Sequence, residues 1–67
     1  MISYSNIAKQ NSVHYDLIER WEEYNNDLIY IEDVDQLYLM ISKLEENGIK
    51  FETDNDIVEV HYISIFY

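Results

Sequence analysis

A chain of 67 residues without a single cysteine must hold its fold by packing alone. No disulfide and no thiolate metal site is within its reach. A chain this short buries only about 60% of its unfolded surface, so its core is thin and needs bulky side chains. The sequence supplies them in seven Tyr, two Phe and one Trp, rings that bury roughly 150–250 Å² each. The apolar fraction of 48% is that of an ordinary globular protein, which argues against disorder. The expectation is one domain over residues 1–67, with 1–12 a loosely ordered lead-in or short strand.

Periodicity then predicts the elements. Ser12 stands as an N-cap before a helix over residues 13–26, where Val13, Leu17, Trp21 and Tyr24 fall on one stripe. Asn25, Asn26 and Asp27 break that helix, and residues 28–32 (Leu-Ile-Tyr-Ile-Glu) read as a strand. Asp33, with Gln36 three residues on, resembles a capping box and opens a second helix over 34–47. Val34, Leu37, Met40, Ile41 and Leu44 form its buried stripe, and Gly48 is the stop. Residues 49–53 read as a strand, 54–56 as a turn, and 57–66 as a last strand. The predicted class is α+β, in the order α-β-α-β-β with a further N-terminal strand left open. Two helices pack on one face of a three-stranded, mainly antiparallel sheet.

The charge balance points to function. Fourteen Asp and Glu face four Lys and Arg, so the net charge is 4 − 14 = −10. Ten Ile, seven Tyr and six Asn suggest an AT-rich coding sequence, which also favours lysine codons, yet only Lys9, Lys43 and Lys50 occur. The lysine shortage therefore reads as selected. Nucleic acid and anionic lipid both require cations, so neither is an expected partner. A basic protein surface is.

Residues 16–35 concentrate the acidity. Asp16, Glu19, Glu22, Glu23, Asp27, Glu32, Asp33 and Asp35 face one cation, Arg20, for a net of −7, against −3 elsewhere. On a helix over 13–26, the first four share an outward face at spacings that repel mildly, with Tyr15 among them. Such a row imitates a phosphate track and fits a cationic groove. Together with Tyr15 these eight carboxylates form the candidate partner-binding set. A solvated face that keeps a small protein soluble is the alternative. Tyr38 and Leu39 are further exposed candidates, each more simply explained as ordinary surface.

The C-terminal strand is a second candidate. Val58, Val60, Tyr62 and Phe66 share one parity and Glu59 and His61 the other, on which Ile63, Ile65 and Tyr67 then turn apolar. A strand apolar on both faces is either covered twice or pairs with another chain. Ile63, Ile65 and Tyr67 are thus candidates for self-association, leaving a homodimer open. His14, Glu59 and His61 lack metal-ligand spacing. No Ser/His/Asp order, Gly-rich phosphate loop or Cys nucleophile occurs. The expectation is no enzyme, no cofactor and no metal.

Over residues 30–53, the strand, capped helix, Asn-Gly stop and strand resemble one βαβ portion of a vicinal-oxygen-chelate (glyoxalase-type) module. That family pairs its modules and uses strand-borne His and Glu ligands with no counterpart here, so no residue is carried over. At the level of class, the size, acidity, lack of cysteine and low-GC flavour resemble small acidic inhibitors made by phages and plasmids against host defences. Anti-CRISPR and DNA-mimic anti-restriction proteins are among them. The resemblance implies an inhibitor of a nuclease or other nucleic-acid-binding protein. The alternative is an immunity partner, regulatory subunit or homodimeric adaptor using the C-terminal strand. The N-terminus lacks a signal peptide's basic start and apolar core, and no run reaches the roughly 20 residues of a membrane span, so the expected compartment is the cytoplasm.

Overall fold

The computed structural model describes residues 2–53 and 61–66. Two helices, α1 (Tyr4–Gln10) and α2 (Val34–Glu46), accompany four strands: β1 (Asp16–Trp21), β2 (Asn26–Tyr30), β3 (Lys50–Thr53) and β4 (Tyr62–Phe66). The class is α+β, as the periodicity predicts, with four strands rather than three. The sheet order is β1-β2-β4-β3 and every neighbouring pair is antiparallel. β2 and β3, joined by α2, therefore run parallel to each other with β4 between them.

The second helix forms where its signals place it. Asp33 caps it by accepting from the backbone N–H groups of Asp35 (2.8 Å) and Gln36 (3.2 Å). The capping box is not completed, because the Gln36 amide turns to the backbone of the segment before β1, accepting from His14 N–H at 3.2 Å. At the other end, Gly48 donates to Glu45 O (3.1 Å) and Ile49 to Leu44 O (3.0 Å), a Schellman closure with Gly48 at φ +68°. Met40 and Leu44 are fully buried, Leu37 and Ile41 half-buried, and Val34 is exposed.

The first half of the chain departs from expectation. Residues 4–10, expected as a lead-in or strand, are helical: Ser3 accepts from Asn6 N–H at 3.3 Å, and Ile7 and Ala8 are buried. The helix predicted over 13–26 does not form. Ser12 is not its cap but a left-handed residue (φ 56°) ending the turn after α1. Residues 16–21 instead pair with β2, and a short 3-10 turn, Glu22–Tyr24, with left-handed Asn25 closes the hairpin. Of the helical stripe only Val13 is buried; Leu17, Trp21 and Tyr24 are exposed. The stripe is a coincidence of spacing, outweighed by ladder bonds that a neighbouring strand satisfies.

Both helices cover the same face of the sheet. The core is Ile7, Ala8 and Val13, Met40 and Leu44, and the sheet residues Ile29, Ile31, Ile63 and Ile65. Among the described residues no helix is long and apolar enough to cross a membrane.

Candidate partner-binding face

A sheet covered by helices on one side presents alternate side chains on the other. The registers arrange these in rows. Trp21, Asn26, Phe66 and Lys50 form the first row, and Glu19, Leu28, Ser64 and Glu52 the second. Asp16, Tyr30 and Tyr62 form the third, with the two tyrosine rings 5.6 Å apart. A bulge at Ile18 sets this pattern. It inserts one residue between Leu17 and Glu19, so that Ile18 joins Glu19 on the open face and lines a hollow with Leu28, Tyr62 and Ser64. The centre of the face is apolar and aromatic. Asp16 and Glu19 rim it on the β1 edge, and Glu52 and Lys50 on the β3 edge.

A second, smaller hollow of about 360 Å³ lies at the Trp21 end, lined by Trp21, Tyr24, Asn26, Glu52, Ser64 and Phe66. Asn26 is 2% exposed and its side-chain Oδ1 is buried without a hydrogen-bond partner among the described residues. An unmade bond at a buried acceptor costs roughly 1–3 kcal/mol.

The acids predicted to bind a partner divide into two kinds. Asp16, Glu19, Glu22, Glu23, Glu32, Asp33 and Asp35 are exposed. Asp16 and Glu19 lie on β1 and Glu22 and Glu23 in the 3-10 turn, a strand edge rather than a helix face. Glu32 and Asp33 lie at the β2–α2 junction and Asp35 in the first turn of α2. Asp27 is different and corrects the expected set: it is 1% exposed. Arg20 donates to it from Nε at 3.1 Å, and the Tyr4 hydroxyl also donates to it. Burial first, and then the hydrogen bond to Asp27, push the Tyr4 hydroxyl well above the ordinary phenol range. Since Arg20 is taken up by Asp27, the net −7 of residues 16–35 rests wholly on the seven exposed carboxylates.

Tyr15 is also corrected. It is half-buried, stacked edge-on against Tyr4 with centroids 5.7 Å apart, and its hydroxyl shares a 2.9 Å hydrogen bond with Ser5. Tyr38 and Leu39 are exposed on α2, as expected.

The C-terminal parity is reversed. Ile63 and Ile65, expected to face outward for self-association, are 0% exposed in the core, while Tyr62 and Phe66 line the open face. β4 is interior to the sheet, bonded to β2 and β3, so it has no free edge for another copy. Its two apolar faces are those of a central strand. Tyr67, Val58, Glu59 and Val60 lie outside the described residues, as does the turn expected at 54–56. The open aromatic face is what sequence reasoning missed. Its signal was the spacing of Leu28, Tyr30, Tyr62, Ser64 and Phe66 at every second residue.

Comparison with known proteins finds no match, whether to a family model, a curated protein or a solved structure.

Proposed function

We propose that this protein is a non-catalytic acidic inhibitor that docks against the basic, nucleic-acid-binding cleft of another protein. The observation that carries the reading is the sheet face that the described residues leave uncovered, with large apolar side chains at its centre and mostly carboxylates at its rim. Aromatic anchors inside a polar ring are the arrangement in which a few residues supply most of the binding energy. The carboxylates steer a cationic partner and repel nucleic acid and acidic surfaces. The net charge of −10 also repels a second copy, so a basic partner fits better than a homodimer. The exposed carboxylates of β1 and the 3-10 turn are positioned to occupy contacts otherwise made to phosphates. Such an inhibitor works in the compartment of its target, which for a host-defence nuclease is the cytoplasm.

The test is affinity capture at low salt, followed by competition. The expected result is recovery of a nucleic-acid-binding protein that DNA and added salt both displace. Reversal of Glu19, Glu22 and Glu23 to Lys should abolish the complex while leaving the circular-dichroism spectrum and melting temperature intact. Unchanged affinity of the folded triple variant would remove the acidic rim from the interface.

A further inference from the structure

We propose that the hollow between Trp21 and Phe66 receives a single arginine side chain of the docking partner. The inference rests on the reading of the sheet face as a docking surface and assigns one subsite within it.

Four features converge on a guanidinium. First, Trp21 and Phe66 flank Asn26 in one row, two strand spacings apart, or about 10 Å at the backbone. A flat group in contact with two rings needs two spacings of about 3.5–4 Å, which a backbone separation of that size accommodates for one planar guanidinium. Second, Asn26 is one of the residues that line this hollow, and its Oδ1 is a buried acceptor with no donor among the described residues, at the floor between the two rings' strands. Third, Ser64 and Glu52, paired across β4 and β3, add a hydroxyl and a carboxylate. A guanidinium carries five N–H donors in a fixed plane and no acceptor, matching a site of rings and oxygen acceptors. Fourth, the volume of about 360 Å³ holds a side chain rather than a large ligand. Tyr24, 70% exposed at the mouth, is free to cover the entering stem. Lys50 stands in the same row beyond Phe66, on the side away from Asn26, and so outside the stacked pair.

Cationic charge held over aromatic faces is the term that separates this site from general attraction to an acidic protein. The probe is the blocked tripeptide acetyl-Gly-Arg-Gly-amide, titrated into the ¹⁵N-labelled chain beside its citrulline counterpart, which keeps the shape and loses the charge. The arginine peptide is expected to shift the Trp21 indole, the Asn26 side-chain amide and the Ser64 backbone, and to bind about tenfold more tightly than citrulline. Trp21→Ala should remove these localised shifts. Glu52→Gln, an isosteric change at an exposed position, should weaken binding several-fold and serves if the tryptophan variant fails to fold. Equal binding of arginine and citrulline would overturn the proposal, as would arginine shifts spread evenly over Glu32, Asp33, Asp35, Glu45 and Glu46. If the pocket fails while lysine reversal of the rim still releases the partner, only the subsite is lost. If arginine binds here while the reversed chain keeps its partner, the subsite stands and the rim-driven docking falls.

Discussion

At the scale of single residues, Asp27 decides most. A carboxylate at 1% exposure is tolerated because Arg20 and Tyr4 both donate to it. The trio links α1, β1 and β2 and gives the exposed edge strand an anchor that apolar burial does not supply. Replacing Tyr4 with Phe leaves Asp27 one donor short and is expected to cost about 1–3 kcal/mol in urea unfolding. The pH dependence has a definite sign. The Tyr4 pKa is raised in the folded state, so its contribution is fully present below the unfolded value of 10.0 and is lost as pH rises through the higher folded value. The stability gap between wild type and Tyr4→Phe should therefore hold from neutral to about pH 10 and narrow above it. A gap that is constant into strong alkali would contradict the assigned hydrogen bond. The buried role of Asp27 is consistent with sequence parity, since Asp27, Ile29 and Ile31 alternate on one face once the strand begins at Asn26. Starting the strand at Leu28 left Asp27 in the turn and among the surface acids.

At the scale of elements, legibility depended on punctuation. α2 carries a cap at Asp33 and a stop at Gly48 around a periodic stripe, and it forms over Val34–Glu46. Here the local signals and tertiary packing agree. Gly48→Ala should cost about 1 kcal/mol, and since a Cβ there meets nothing within 4 Å, that cost is left-handed backbone strain alone. Asn, which tolerates this conformation, should recover much of the loss in thermal melts. β1 had no such punctuation. Its bulge breaks the two-residue alternation by which a strand is recognised, while Val13, Leu17, Trp21 and Tyr24 mimic a helical stripe. Only pairing with β2, a non-local contact, resolves the ambiguity. The parity of β4 failed for a related reason: it was anchored on Val58 and Val60, outside the described residues, instead of on the pairings of Ile63 with Ile29 and Ile65 with Asp27.

At the scale of the whole molecule, the two helices cover one side of the sheet, and Asp16, Glu19 and Glu52 stand at the edges of the other. The acidic surplus was legible from composition, and its concentration in residues 16–35 from simple counting. The aromatic centre of the open face was not, because Trp21, Leu28, Tyr62 and Phe66 come from three strands and meet only in the sheet. In the proposed docking, the rim would set the rate and salt dependence of encounter, and the rings would supply the contact that persists. The most direct test of this arrangement is a chemical-shift map of the labelled chain titrated with a short arginine-rich peptide at low salt. The expected shifts concentrate on the open face, around Trp21, Leu28, Tyr30 and Ser64, and fade as salt is added. Shifts on the outer face of α2, around Tyr38 and Leu39, with the open face silent, would contradict the proposed docking.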